Sequence, residues 1–82
     1  MKKTLRLHLI HSDETLEKGI ARFSLAFWRK KSTREIVKSL QKGELEALKI
    51  KSDGRILNGN VRCKALLERG FDINQLEFEV ID

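Results

Sequence analysis

Two glycine-containing turns enclose a very short apolar run in segment 53–62, which reads DGRILNGNVR. An Asp-Gly pair is a strong hairpin signal, so residues 55–57 are predicted to form the returning strand. Residues 58–60 then turn the chain into a helix that carries Arg62 in its first turn. The N–H groups and dipole of a helix start favour anions. We therefore expect a hairpin followed by a phosphate-binding helix start.

Chain length and composition limit the class of protein. The 82 residues suffice for one domain, 1–82, near the lower size limit for a chain held together by an apolar core alone. Cys63 is the only cysteine, so an intramolecular disulfide is excluded. No apolar run is long enough to span a membrane, and Arg6 and His8 interrupt any signal-peptide core. We expect a soluble, cytoplasmic domain.

Positive charge is concentrated in the first half of the chain. Residues 1–42 contain 11 Lys/Arg and 4 Asp/Glu, whereas residues 43–82 contain 6 and 8. A basic half favours an acidic partner such as nucleic acid, although it also describes an ordinary solvated surface. The candidate nucleic-acid or partner surface consists of Trp28, Arg29, Lys30, Lys31 and Arg34. In this surface, the indole would stack on bases.

The N-terminal part is predicted to form a strand and an amphipathic helix. Leu5, Leu7 and Leu9 alternate with polar residues, and Ser12 or Asp13 can cap the helix that follows. Two apolar stripes run along this helix: Leu16, Ile20, Phe23 and Phe27 on one side, and Ala21, Leu25 and Trp28 on another. One stripe would cover the sheet. The second would meet a neighbouring helix, another subunit or a ligand.

The remaining elements follow from local signals. Residues 32–35 form a capping box that starts a second helix, for which Gly43 is the expected stop. Residues 48–51 alternate as a strand before the hairpin, Asn60 can cap the next helix up to Gly70, and residues 77–81 supply a last strand. The order β-α-α-β-β-α-β predicts a small α+β domain with a mixed sheet and packed helices.

The second half of the chain resembles a known family. A strand, an Asp53-Gly54 turn, a short strand, a Gly59-x-x-Arg62 helix start, a helix ending at Gly70 and a closing strand are together similar to the ParB/sulfiredoxin-like fold. The resemblance covers residues 33–82, so residues 1–31 lie outside it. It implies a site for nucleotide phosphates, with CTP or ATP and magnesium as ligands. The implied contacts are Gly59, Asn60, Arg62, Asp53 and Gly54.

Three functions remain open at this stage. The first is a binding module that recognises a phosphate-bearing ligand, nucleotide or nucleic acid, through the Gly-x-x-Arg helix start. The second is a nucleotide-hydrolysing, phosphotransfer or nuclease enzyme, for which Asp53 is the nearest candidate carboxylate. The third is a small regulator, such as an antitoxin or inhibitor, that contacts a protein or a second copy through Ala21, Leu25 and Trp28. Sulfiredoxin activity is not expected, because its catalytic cysteine corresponds to Asn60.

No catalytic or metal constellation can be assembled from the sequence. Cys63, His8 and His11 have no recognised zinc spacing, and His8 lies in a predicted strand. Glu44 and Glu46 have no partner nucleophile or base at a plausible position. Cys63 is expected to be a small buried apolar residue. The sequence thus indicates a ligand class and no reaction.

Overall fold

The computed structural model describes residues 6–19 and 21–81 and shows an α+β fold, as predicted. Its helices are α1 (Asp13–Lys18), α2 (Ala21–Arg29), α3 (Thr33–Leu40) and α4 (Asn60–Glu68), followed by a 3-10 helix (Ile73–Gln75). Its strands are β1 (Lys49–Ile50), β2 (Ile56–Asn58) and β3 (Glu79–Val80). Strand β1 lies in the centre of the sheet, antiparallel to β2 and parallel to β3.

The predicted N-terminal strand is reduced to a single bridge. His8 pairs in parallel with Arg55, through bonds from His8 N to Gly54 O and from Ile56 N to His8 O, each 3.0 Å. Side chains take the neighbouring donors, because Asn74 Oδ1 accepts from Leu7 N and Asn60 Oδ1 accepts from Ile10 N. Ile10 N is the next donor on the hairpin side after His8, so the ladder does not continue past this bridge toward Ile10. Leu5, the first residue of the predicted alternation, lies outside the described residues.

The predicted first helix is divided in two. Ser12 caps α1 by accepting from Thr15 N at 3.1 Å, which confirms one of the two predicted caps. Gly19 ends α1 in an extended conformation, and its N–H donates to Thr15 O. A glycine inside a helix loses more backbone entropy than other residues, so the break falls there. Ile20, which belonged to one predicted stripe, lies outside the described residues.

Of the two predicted apolar stripes, the second packs on a helix of the same chain, whereas Phe23 and Phe27 of the first remain exposed. Leu25 is fully buried and Ala21 and Trp28 are half-buried, because this side of α2 packs on α4. Phe23 and Phe27, expected to cover the sheet, are instead 67% and 53% exposed. The stripe of Ala21, Leu25 and Trp28 thus meets a neighbouring helix. Because Leu25 is fully buried, it cannot contact a second copy or a protein partner in this fold, and that part of the prediction is wrong.

The signals in the middle of the chain act as predicted. The Ser32 capping box is formed, since Ser32 Oγ accepts from Glu35 N and Glu35 accepts from Ser32 N. Helix α3 ends at Leu40, slightly before the expected stop at Gly43, which has a positive φ of 94° in the following loop. The Asp-Gly hairpin joins β1 to β2, and Lys51 N donates to Arg55 O across its base.

Helix α4 is the element that carries the predicted site, and the core holds it firmly. Its Cys63, Ala65 and Leu66 side chains are buried together with residues from both the helices and the sheet. At its end, Gly70 N donates to Leu67 O and Phe71 N to Leu66 O, which is a Schellman termination. The start of α4 therefore has a fixed position next to β2.

Across the described residues, no helix is sufficiently long and apolar to cross a membrane.

Candidate anion-binding site

Gly59 sets the geometry at the start of α4. It is the N-cap residue, with a φ of 116° that L side chains rarely adopt. A Cβ placed on it would lie 2.9 Å from Leu48 Cδ1 and 3.1 Å from Leu40 Cδ2. Glycine is required here both for the left-handed backbone and for close packing on the core. The chain can therefore turn directly from β2 into the helix.

The first N–H groups of α4 are available for a ligand. Gly59 supplies no side-chain cap, and the first intrahelical bond runs from Cys63 N to Gly59 O at 2.8 Å. The N–H groups of Asn60, Val61 and Arg62 donate to no acceptor among the described residues. Unpaired N–H groups at a helix start carry the positive end of its dipole. Their combined field favours an anion at this point.

Asn60 does not cap the helix, contrary to the prediction. Its Oδ1 accepts from Ile10 N at 3.0 Å, and its Nδ2 donates to Ile56 O at 2.8 Å. Both polar atoms of the side chain are therefore engaged by the backbone of the N-terminal segment and of β2. The main-chain N–H of Asn60, by contrast, has no acceptor among the described residues. The amide side chain instead fixes residues 6–10 beside the hairpin.

Arg62 is a buried cation in the first turn of α4. It is 5% exposed, and its Nη1 donates to Ser39 O at 3.3 Å and to Ser39 Oγ at 3.1 Å. Ser39 Oγ in turn donates to Ile36 O at 2.7 Å, which orients it as the acceptor. The guanidinium also lies over the Trp28 ring, 5.5 Å from its centroid. These contacts fix the side chain between α2, α3 and α4.

The charge of Arg62 lacks a close counter-ion. Among the described residues, no carboxylate oxygen lies within 4 Å of its guanidinium nitrogens, the distance limit for an ion pair. Burial lowers the pKa of Arg62, and the negative charge of Glu46 has a smaller effect in the opposite direction. Its Nε and Nη2 donate to no acceptor in the described chain. Every fully buried side-chain nitrogen among the described residues has a hydrogen-bond partner. Because Nε and Nη2 of Arg62 have none, these two atoms are in contact with solvent. An anion would use these free donors.

These groups border a cavity of about 440 Å³. Residues 59–62 form one wall, and Ser24 and Trp28 of α2 stand among the residues that complete it. Glu46 and His11 contribute polar groups at its border. The volume is within the range of small-molecule sites. The predicted helix start therefore lies in a concave place with an aromatic wall, which a ligand site needs.

Asp53 and Gly54 do not take part in this cavity. Asp53 lies on the hairpin, where its carboxylate accepts from Arg55 N at 3.0 Å and from Arg55 Nε at 2.8 Å. The bond from Arg55 N is the main reason that the pKa of Asp53 is below its usual value. Gly54 is buried against the Arg6 carbonyl. Both residues form the turn, and neither is among the residues that line this cavity, so their predicted ligand and catalytic roles stay predictions.

The predicted basic surface is only partly available. Arg29 is held by Glu17 and Glu68, with bonds of 2.9 Å to each carboxylate. This pairing raises the pKa of Arg29 and lowers that of Glu68. Trp28 is half-buried, with Arg62 over one face and the Phe27 ring packed edge-on at 5.2 Å. Lys30 and Arg34 remain exposed, whereas Lys31 is half-buried beside Phe27.

Cys63 is an inert core residue, as the sequence indicated. It is fully buried, and burial raises the pKa of its thiol to about 12. Among the described residues, no group of three or more His, Cys, Asp or Glu side chains is placed to hold a metal ion.

Ser39 and Glu46 were not anticipated as parts of the site. Ser39 is 23 positions from Arg62 along the chain, and no local pattern relates the two. Glu46 is separated from Glu44 by one residue, and the sequence offers no partner for either, although Glu46 borders the cavity. Only the packing of α3 and its following loop on α4 brings these side chains to Arg62. Comparison of the chain with protein-family models, with curated proteins and with solved structures gave no match.

Proposed function

We propose that this protein is a binding module that recognises a phosphate-bearing ligand at the start of α4. The observation that carries the proposal is Arg62, a buried guanidinium with no carboxylate within 4 Å among the described residues, beside three N–H groups that lack acceptors. A buried charge without a counter-ion is costly, and a helix start is an unfavourable place for a cation. A bound phosphate would remove both costs.

The cavity supports a ligand larger than a free anion. Its volume of about 440 Å³ leaves room for a group attached to the phosphate, and Trp28 and Leu57 give it apolar walls. The resemblance to the ParB/sulfiredoxin-like fold favours a nucleotide, with CTP and ATP as the first ligands to test. In this proposal the phosphate receives donors from the backbone of 60–62 and from the free atoms of Arg62.

The test is a titration followed by the fluorescence of Trp28, the single tryptophan of the chain. Inorganic phosphate, tripolyphosphate, CTP and ATP are added at two salt concentrations, with and without magnesium. Because Trp28 borders the cavity, we expect saturable changes in its emission. Arg62→Gln should abolish saturation while circular dichroism remains that of the folded protein. The ranking of tripolyphosphate against the nucleotides shows whether the base contributes.

A matched control separates a site from diffuse charge attraction. Arg55→Gln removes the same charge from an exposed arginine on the hairpin, outside the cavity. Specific binding predicts that Arg55→Gln binds like the original chain. Equal weakening in the two variants, or a response that rises linearly without saturation for every ligand, would overturn the proposal.

A further inference from the structure

The outer face of α2 exposes two aromatic rings that the fold does not use. Phe23 and Phe27 are one helical turn apart and are 67% and 53% exposed. The buried side of the same helix is already occupied by its contact with α4. These rings lie apart from the cavity at the start of α4, because neither is among its lining residues. We call this pair and its basic neighbours the α2 outer face, defined by Arg22, Phe23, Phe27, Lys30 and Lys31.

Each ring of the α2 outer face has a cation above it. The Arg22 guanidinium carbon is 4.7 Å from the centroid of the Phe23 ring, and Lys31 Nζ is 4.9 Å from that of Phe27. These two cations and the exposed Lys30 form no ion pair within the described residues. The nearby carboxylate of Glu35 is engaged in the capping box with Ser32. Glu35 keeps its negative charge there and interacts electrostatically with Lys31. The face therefore combines stacking surfaces with three cations that outnumber the carboxylate beside them.

We propose that the α2 outer face binds single-stranded nucleic acid. Bases would stack on Phe23 and Phe27, while the phosphates between them contact Arg22, Lys30 and Lys31. Base stacking on aromatic rings combined with a basic groove is how proteins hold single strands without reading their sequence. This interface goes beyond the phosphate site of α4, since none of its five residues borders that cavity.

Charge and chemistry favour this occupant over a second copy of the chain. A symmetric dimer through this face would bring Arg22, Lys30 and Lys31 close to the same cations of the partner, which costs free energy. A duplex offers the phosphates but hides the faces of its bases. A single strand supplies both the negative charge and the ring faces. It is the partner that matches the whole surface.

The proposal is tested by fluorescence anisotropy of labelled oligonucleotides of about 12 nucleotides, within the usual site sizes for single strands. The full chain is titrated into single-stranded DNA, single-stranded RNA and a duplex of equal length. We expect saturable binding to the single strands, weaker binding to the duplex and a fall in affinity with salt. Tight binding to the duplex, equal to that of the single strands, would overturn the proposal.

Leucine variants distinguish stacking from general apolar contact. Phe23→Leu and Phe27→Leu keep most of the apolar area and remove the ring, so each should weaken single-strand binding about tenfold. Both residues are exposed, so the fold should be preserved, as circular dichroism will verify. Val80→Ala on β3 and Lys51→Gln on the hairpin are controls for apolar area and charge, and we expect unchanged affinity.

The remaining outcomes decide between occupants. Unchanged affinity in both leucine variants would show that the rings do not stack, and would overturn the proposal. Self-association measured by sedimentation, lost in Phe27→Glu and without oligonucleotide binding, would assign the face to a second copy. Binding of CTP or ATP in the Trp28 assay is independent of these results. Failure of one proposal therefore leaves the other intact.

Discussion

The guanidinium of Arg62 lies over the indole ring of Trp28, 5.5 Å from its centroid. This contact joins the first turn of α4 to the last turn of α2. Trp28 lines the cavity at the start of α4 and also a second cavity of about 440 Å³ beside Phe27 and Lys31. One aromatic side chain thus forms a wall between the candidate phosphate site and the α2 outer face.

Arg62 is predicted to contribute little to the stability of the protein in the absence of a ligand. Replacing a buried charge that lacks a counter-ion by an apolar side chain of similar length is often neutral or stabilising. We expect Arg62→Met to change the free energy of unfolding by no more than about 1 kcal/mol in urea denaturation. Loss of the bonds to Ser39 acts in the opposite direction.

Repeating the urea denaturation with ligand measures how much binding raises the free energy of unfolding. A ligand at 100 times its dissociation constant stabilises the original chain by about 2.7 kcal/mol, and Arg62→Met should lose this gain. The opposite result is a free energy of unfolding for Arg62→Met that lies several kcal/mol below that of the original chain, with phosphate still stabilising the variant. It would show that Arg62 supports the fold and does not bind the ligand.

Arg69 is predicted to stabilise the end of α2. Its Nη2 donates to the carbonyl oxygens of Arg29 at 3.0 Å and Lys31 at 2.7 Å, and its Nη1 donates to Thr33 Oγ1 at 3.1 Å. A planar guanidinium satisfies several carbonyl groups at once, whereas an ammonium is a single point charge. We expect Arg69→Ala to lower the free energy of unfolding by about 2 kcal/mol, with only partial recovery in Arg69→Lys. Equal stability of the alanine and lysine variants would contradict this role.

The sequence predicted those elements whose signals are local. The Ser32 capping box, the Asp-Gly hairpin and the turn into α4 each depend on residues within a few positions of one another, and all three form. The helix start carrying Arg62 was located for the same reason. Its available N–H groups follow from helix geometry alone.

The sequence could not predict features that depend on competition between distant residues. The N-terminal strand is shortened because the Asn60 side chain takes the Ile10 N–H, the next donor that a ladder with the hairpin would need. Phe23 and Leu25 have comparable hydrophobicity, and only the packing on α4 decides which is buried. Asn60 was a reasonable cap by residue type, but tertiary hydrogen bonds engage its side chain.

Gly54 is predicted to be far less replaceable than Gly43, although both have a φ near +95°. A Cβ on Gly54 would lie 2.1 Å from the Arg6 carbonyl oxygen, whereas a Cβ on Gly43 meets nothing within 4 Å. Gly43→Ala should therefore cost only the strain of the left-handed backbone, about 1 kcal/mol. Gly54→Ala adds a backbone clash and should cost several times more in urea denaturation. Equal losses would show that the N-terminal segment does not pack on the turn.

Cys63 makes the stability of the protein sensitive to alkaline pH. Its thiol has a pKa of about 12 in the fold, raised by burial from about 9, so the folded state holds a proton that the unfolded chain releases. The contribution of the neutral thiol to the free energy of unfolding is therefore fully present below pH 9. It decreases as the pH rises from about 9 to about 12, by at most about 1.4 kcal/mol per pH unit. We expect Cys63→Ala to lose this part of the slope when unfolding free energies are compared at several pH values. The native thiol should also resist alkylation until the chain unfolds. Rapid alkylation under native conditions, or identical slopes in the two proteins, would contradict a buried neutral thiol.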